Sequence, residues 1–158
     1  MAAIYDPTRA ELFTAERGVG AFLNGAPLRA SSTSALIDSM LVTGFPYDMH
    51  QQGADLVDLF GAFLAQARAV RRLGSAALDL CYVAAGRFEG FWEQHLKPWD
   101  VAAGALIVAE AGGRISGMDG SPFDPVAAHL VASNEQVHDA MLTVIREFRA
   151  ERAPKRTN

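Results

Sequence analysis

The stretch FEGFWEQHLKPWDVAAGALIVAEAGG, residues 88–113, decides the fold of this chain. Its opening, Phe88-Glu89-Gly90-Phe91-Trp92, alternates as a strand does, and Val101 to Ala111 carries the small and apolar run of a buried helix. A loop ending in Asp100 joins them. Asp100 stands immediately before the helical run, where a carboxylate caps free backbone N–H groups and is favoured by the helix's positive end. A metal ligand is the second reading, because Glu93 and Asp100 lie at the two ends of one strand-to-helix loop. Sites in open α/β sheets collect beyond the carboxyl ends of strands.

The 158 residues suffice for one compact body, and a hydrophobic content of 50% supports a real core. Net charge is -4 and the pI about 5.5, with no basic face for nucleic acid, so a small anionic substrate needs local help from a cation or a metal. No apolar run approaches the roughly 20 residues that span a bilayer, and the N-terminus lacks a basic start followed by an apolar segment. The single cysteine, Cys81, sits in the apolar run Leu78 to Ala85 and reads as inert core in a reducing compartment. A cytoplasmic protein is expected.

Ala3 to Tyr5 and Glu11 to Glu16 read as strands joined by the turn Asp6-Pro7-Thr8-Arg9, and Ala21-Phe22-Leu23 leads to the hairpin signal Asn24-Gly25 before Pro27. These make an antiparallel meander. After the serine-rich connection, Leu41 to Thr43 reads as a buried strand, Ala54 to Ala67 as an amphipathic helix, and Ala69 to Arg71 as a strand. A helix from Ala76 to Ala85 ends at Gly86, and beyond residue 113 come strands near Arg114-Ile115 and Leu130-Val131 and a helix from about Glu135 to Arg149. The expected fold is α/β and layered: a truncated antiparallel sheet layer over residues 1–38, a mainly parallel sheet flanked by helices over 39–149, and a frayed tail over 150–158.

Glu93, at the end of an apolar strand, faces either solvent or a ligand. Asp79 is expected on the wet face of its helix, and Asp48 reads as turn chemistry. Gly74-Ser75-Ala76 opens a helix after a strand, where N–H groups and a hydroxyl approach a polar ligand or simply cap the helix. His50, His95, His129 and His138 show no metal spacing and are expected at surface or loop positions. Trp92 and Trp99 flank the acidic loop and either wall a pocket or pack.

Four blocks taken in order carry a resemblance: Glu16-Arg17-Gly18-Val19-Gly20-Ala21-Phe22-Leu23-Asn24-Gly25, Arg72-Leu73-Gly74-Ser75-Ala76-Ala77-Leu78-Asp79, Pro98-Trp99-Asp100-Val101-Ala102-Ala103-Gly104, and Glu110-Ala111-Gly112-Gly113. Together they resemble the C-terminal part of the inositol monophosphatase family. The resemblance implies a partial αβαβα sugar-phosphatase fold and a magnesium-dependent, lithium-sensitive phosphomonoesterase. It implies that Asp100 ligates a catalytic metal, that Glu93 hydrogen-bonds the hydroxyls of a phosphorylated cyclitol or sugar, and that Gly74, Ser75 and Ala76 line the substrate site. It also implies a homodimer. The family's glutamate pair and its D-P-x-D-G-T segment do not occur in this sequence, so no complete catalytic set is present. Two expectations follow: the C-terminal part of a phosphatase that is inactive alone because those motifs are absent, or else a non-catalytic binding and assembly module or one piece of a split phosphatase whose partner chain supplies the missing half.

Overall fold

A computed structural model of the chain describes residues 1–46, 53–127 and 129–152, so Asp48 and His50 lie outside the described residues. The first sheet is an antiparallel meander of β1 (Ala2–Asp6), β2 (Glu11–Glu16), β3 (Gly20–Leu23) and β4 (Ala26–Pro27) in that order. The β3–β4 turn is the expected one: Asn24 and Gly25 both have positive φ, 50° and 81°, as a two-residue hairpin turn of this hand requires.

A single 3-10 turn at Leu36–Asp38 leads to β5 (Met40–Thr43), then α1 (Ala54–Leu64), β6 (Ala69–Arg71), α2 (Ala76–Ala84), β7 (Gly90–Gln94) and α3 (Pro98–Glu110). The chain continues through β8 (Arg114–Ser116), β9 (His129–Ser133) and α4 (His138–Arg152). The second sheet has the order β6-β5-β7-β9-β8. Its pairings bear out a mainly parallel sheet with one reversed strand: β5 runs parallel to β6 and β7, whereas β9 runs antiparallel to β7 and β8. The helical crossovers that impose parallel strands stop after α3, and β8 reaches β9 through a loop that lets the chain reverse.

Layering follows from which faces are apolar. The pair α2 and α3 lies between the two sheets, with Phe13 and Ala15 of the first sheet, Leu80 and Val83 of α2, Ile107 and Val108 of α3, and Val42 and Phe91 of the second sheet sharing one core. On the far side of the second sheet, α1 and α4 cover Leu41, Trp92 and Val131 with Leu59, Phe63, Met141 and Ile145. The result is a β–α–β–α stack. A helix sandwiched in this way has no wet face, so Asp79 is fully buried, at 0% exposure, which corrects the solvent-facing position expected for it.

The small residues of α3 exist for the sandwich. A Cβ on Gly104 would come within 2.7 Å of the Leu80 Cβ, so glycine sets how closely α3 and α2 approach. Gly104→Ala is expected to cost about 2 kcal/mol by overpacking, read as a lowered urea midpoint with unchanged m-value. At its other end α3 is tied to the meander, since the Glu110 carboxylate accepts the N–H groups of Gly18 and Gly20 at 2.9 and 3.1 Å. The helix that carries Asp100 is thereby fixed at both ends.

Candidate functional site

Alternation along β7 decides where its side chains go. Phe91 faces the sandwiched helices and Trp92 the outer pair, where its ring stacks on Phe63 with centroids 3.9 Å apart. Trp92 is therefore core. Glu93 returns to the face of Phe91, toward the starts of α2 and α3. Its carboxyl lies directly over the backbone of Gly44, at the end of the neighbouring strand β5: a Cβ there would sit 2.3 Å from all three carboxyl atoms.

Asp100 is the third residue of α3 rather than its cap, because Pro98 already begins the helix as proline does at a first position. Its Oδ2 accepts the Lys97 N–H at 2.9 Å, reaching back over the first turn. Ser75 is the cap of α2, its hydroxyl accepting the Leu78 N–H at 3.5 Å.

These elements enclose an open cleft of about 920 Å³, and Gly74, Ser75, Ala76, Glu93 and Asp100 all line it. Sequence reasoning did not single out Gly44, Arg72, His95 or Lys97, which line it as well. Gly44 carried no signal beyond ending a strand. Arg72 was visible as the cation just before the Gly74 turn, and its guanidinium lies 4.2 Å over the Phe45 ring. Trp99 stands at the cleft, 78% exposed.

Burial first, and the charge of Asp100 second, push the Glu93 carboxyl up to about 7, against the opposing pull of Arg72. A carboxyl so poised accepts hydrogen bonds from hydroxyls when ionised and donates one when protonated. His95 and His129 are exposed as expected, but His138 is fully buried, which corrects its surface assignment. It sits between two serines at the start of α4, far in sequence from the acidic loop. Cys81 is buried and its thiol is pushed up to about 12 by desolvation, in keeping with inert core.

The model of the inositol monophosphatase family matches residues 1–151. This chain belongs to the inositol monophosphatase family. Among its relatives in that family, Nus factor SuhB of Escherichia coli is 47% identical over 147 residues, covering 93% of this chain and 55% of the relative. Inositol-1-monophosphatase of Mesorhizobium japonicum is 46% identical over 145 residues, covering 91% and 54%. The solved inositol monophosphatase of Anabaena (Nostoc) superposes with a TM-score of 0.89 at 40% identity, covering 92% of this chain and 57% of the other. The chain thus spans about half the length of the curated relatives it matches.

The family's activity is generally linked to magnesium, and the cleft tests how far this chain supplies a site. Among the described residues no group of three or more His, Cys, Asp or Glu side chains converges as a metal centre. Asp100 offers one carboxylate and Glu93 a second that holds its proton up to about 7, which does not make a magnesium site unaided.

Gly44→Ala is expected to leave the fold intact, because the nearest atoms in the way belong to the flexible end of Glu93. The Glu93 carboxyl must swing out, so the variant's crystal structure should show it displaced from the cleft floor. A Glu93 carboxyl left in place would contradict the packing argument.

Proposed function

We propose that this chain is the substrate-side part of a phosphomonoesterase acting on an inositol monophosphate or a similar sugar phosphate. Its support is the convergence on one cleft of an acid poised to meet substrate hydroxyls, Glu93, an acid at a helix start, Asp100, and the turn Gly74-Ser75-Ala76. The names of its relatives point the same way. In this reading Asp100 is one ligand of magnesium, and the remaining ligands come from a polypeptide segment carrying the family's acidic motifs. Glu93 orients the cyclitol or sugar ring, and the N–H groups and hydroxyl at the start of α2 border the same ligand. A cytoplasmic homodimer inhibited by lithium completes the proposal. No helix among the described residues is long and apolar enough to cross a membrane.

The test uses this chain assembled with a polypeptide that supplies the missing motifs. Asp100→Asn should lower hydrolysis of inositol 1-phosphate by roughly a hundredfold, the upper end of what loss of a supporting group costs a metal site, with an unchanged melting temperature. Turnover equal to the parent at saturating magnesium would remove Asp100 from the site. A non-catalytic assembly module is the second reading, favoured by the name Nus factor on the relatives that are 47% identical.

A further inference from the structure

Asp79 stands apart from every other buried polar side chain among the described residues: both of its carboxyl oxygens lack a hydrogen-bond partner. Other buried acids are satisfied. Asp6 accepts from Thr8 and Tyr82, and Glu89 accepts the Met40 N–H. The Asp79 backbone is ordinary helix, its N–H bonded to the Ser75 carbonyl at 2.8 Å, so the side chain alone is unpartnered. It sits one turn behind the cap of α2, on a helix that packs against β1, β5, β7, β9 and α3. Of these elements only β7 brings a charged group to bear on it, and that group is Glu93, an acid of the same sign.

An ionised carboxylate sealed from water, with no donor and a like charge beside it, is the least favourable state available to this side chain. We propose that Asp79 is a positioning residue for Glu93: held as an un-ionised carboxylic acid, it leaves Glu93 as the single carboxylate that this side of the cleft presents to a ligand. Burial, and then the Glu93 charge, push Asp79 up to about 7, consistent with the geometry. A charge on Asp79 would set two like charges against each other beside the cleft, because Glu93 is the charged group that bears on it. The ligand-facing role of Glu93 rests on the proposed function; the protonation of Asp79 does not.

The experiment is a carboxyl ¹³C NMR titration of the whole 158-residue chain, as wild type, Glu93→Gln and Asp79→Asn. Asp79 should titrate near neutrality in the wild type and move toward the ordinary carboxylate range in Glu93→Gln, where the like charge is gone. Asp79→Asn, which keeps the shape without the charge, should retain the wild-type amide spectrum. An Asp79 that titrates in the ordinary range, or one unmoved by Glu93→Gln, overturns the proposal. The second readout is made on the assembled phosphatase: Asp79→Ala should raise KM several-fold with kcat kept, and asparagine at this position should restore KM. Equal KM losses for asparagine and alanine would overturn the role of a neutral acid. An Asp79 that titrates as stated in a chain whose assembly hydrolyses nothing would sink the reading of Glu93 while keeping the protonated acid.

Discussion

The 158-residue chain alone is expected to hydrolyse inositol 1-phosphate no faster than a magnesium blank, and to gain at least about a thousandfold when the family's acidic motifs are supplied on a second polypeptide. The size of the gain follows from what enzymes of this kind must achieve: rate enhancements start near a millionfold, and positioning alone does not deliver them. Phosphoester hydrolysis needs charge stabilisation on both the attacking and leaving oxygens. The cleft offers little of it. Its two carboxylates are Glu93, which keeps a proton up to about 7, and Asp100, whose Oδ2 is engaged with the Lys97 N–H. Its cations, Arg72 and Lys97, lie on the rim of an open cleft of about 920 Å³, where water competes for every contact. The measurement is phosphate release by the purified chain, with and without the added polypeptide, at saturating magnesium. Robust turnover by the chain alone would mean that its own residues hold the metal.

Much of this arrangement is legible in the sequence because it is local. Asn24-Gly25 specifies a turn through two positive φ angles, and Gly74-Ser75 specifies a break and a cap, so both appear where the chain announces them. The five residues assigned to the site fall on one cleft because each lies at the end of a strand or the start of a helix, and such ends gather on one side of a sheet. What the sequence hides is set by distant partners. Asp79 looks like the polar stripe of an amphipathic helix until the first sheet is laid over it, and His138 looks like a helix start on the surface until β8 and β9 close around it. Gly44 is silent because its reason is the carboxyl of a residue 49 positions later in the chain. The direction of β9 is likewise invisible, since no residue of the strand announces whether the chain crosses over or returns after β8. Both missed side chains are polar groups whose burial depends on a second layer, and periodicity reports one layer at a time.

His138 makes the second large effect, on stability rather than activity. Its ring bridges two strands: Nε2 lies 2.9 Å from the Ser116 hydroxyl and Nδ1 2.9 Å from the Ser133 hydroxyl. The hydroxyl network assigns the tautomer. Ser116 donates to the Gly117 carbonyl and so accepts from Nε2–H, while Ser133 accepts the Glu135 N–H and donates to Nδ1. A second proton on Nδ1 has nowhere to go without breaking the Ser133 bond. Burial, and next the nearby Arg114 charge, hold the imidazole down at about 4, although Asp139 pulls the other way. A base depressed in the folded state takes up its proton first in the unfolded chain, so its contribution is fully present above the usual histidine value of about 6.5 and drains away as pH falls to about 4. The integral over that window is about 3 kcal/mol. Asp79 and Glu93 act with the opposite sign over an overlapping range, because acids raised to about 7 make the fold less stable as pH rises from their unfolded values. The wild-type curve alone therefore mixes opposing contributions, with the two acids outweighing the one imidazole, and the informative quantity is a difference. Urea unfolding of the wild type and of His138→Gln, compared from pH 4 to pH 7, should show the wild-type advantage growing by about 3 kcal/mol across that interval. A difference that stays level across the interval would mean that the ring gains its proton as easily inside the fold as outside it, and that the serine bridge does not select the neutral form.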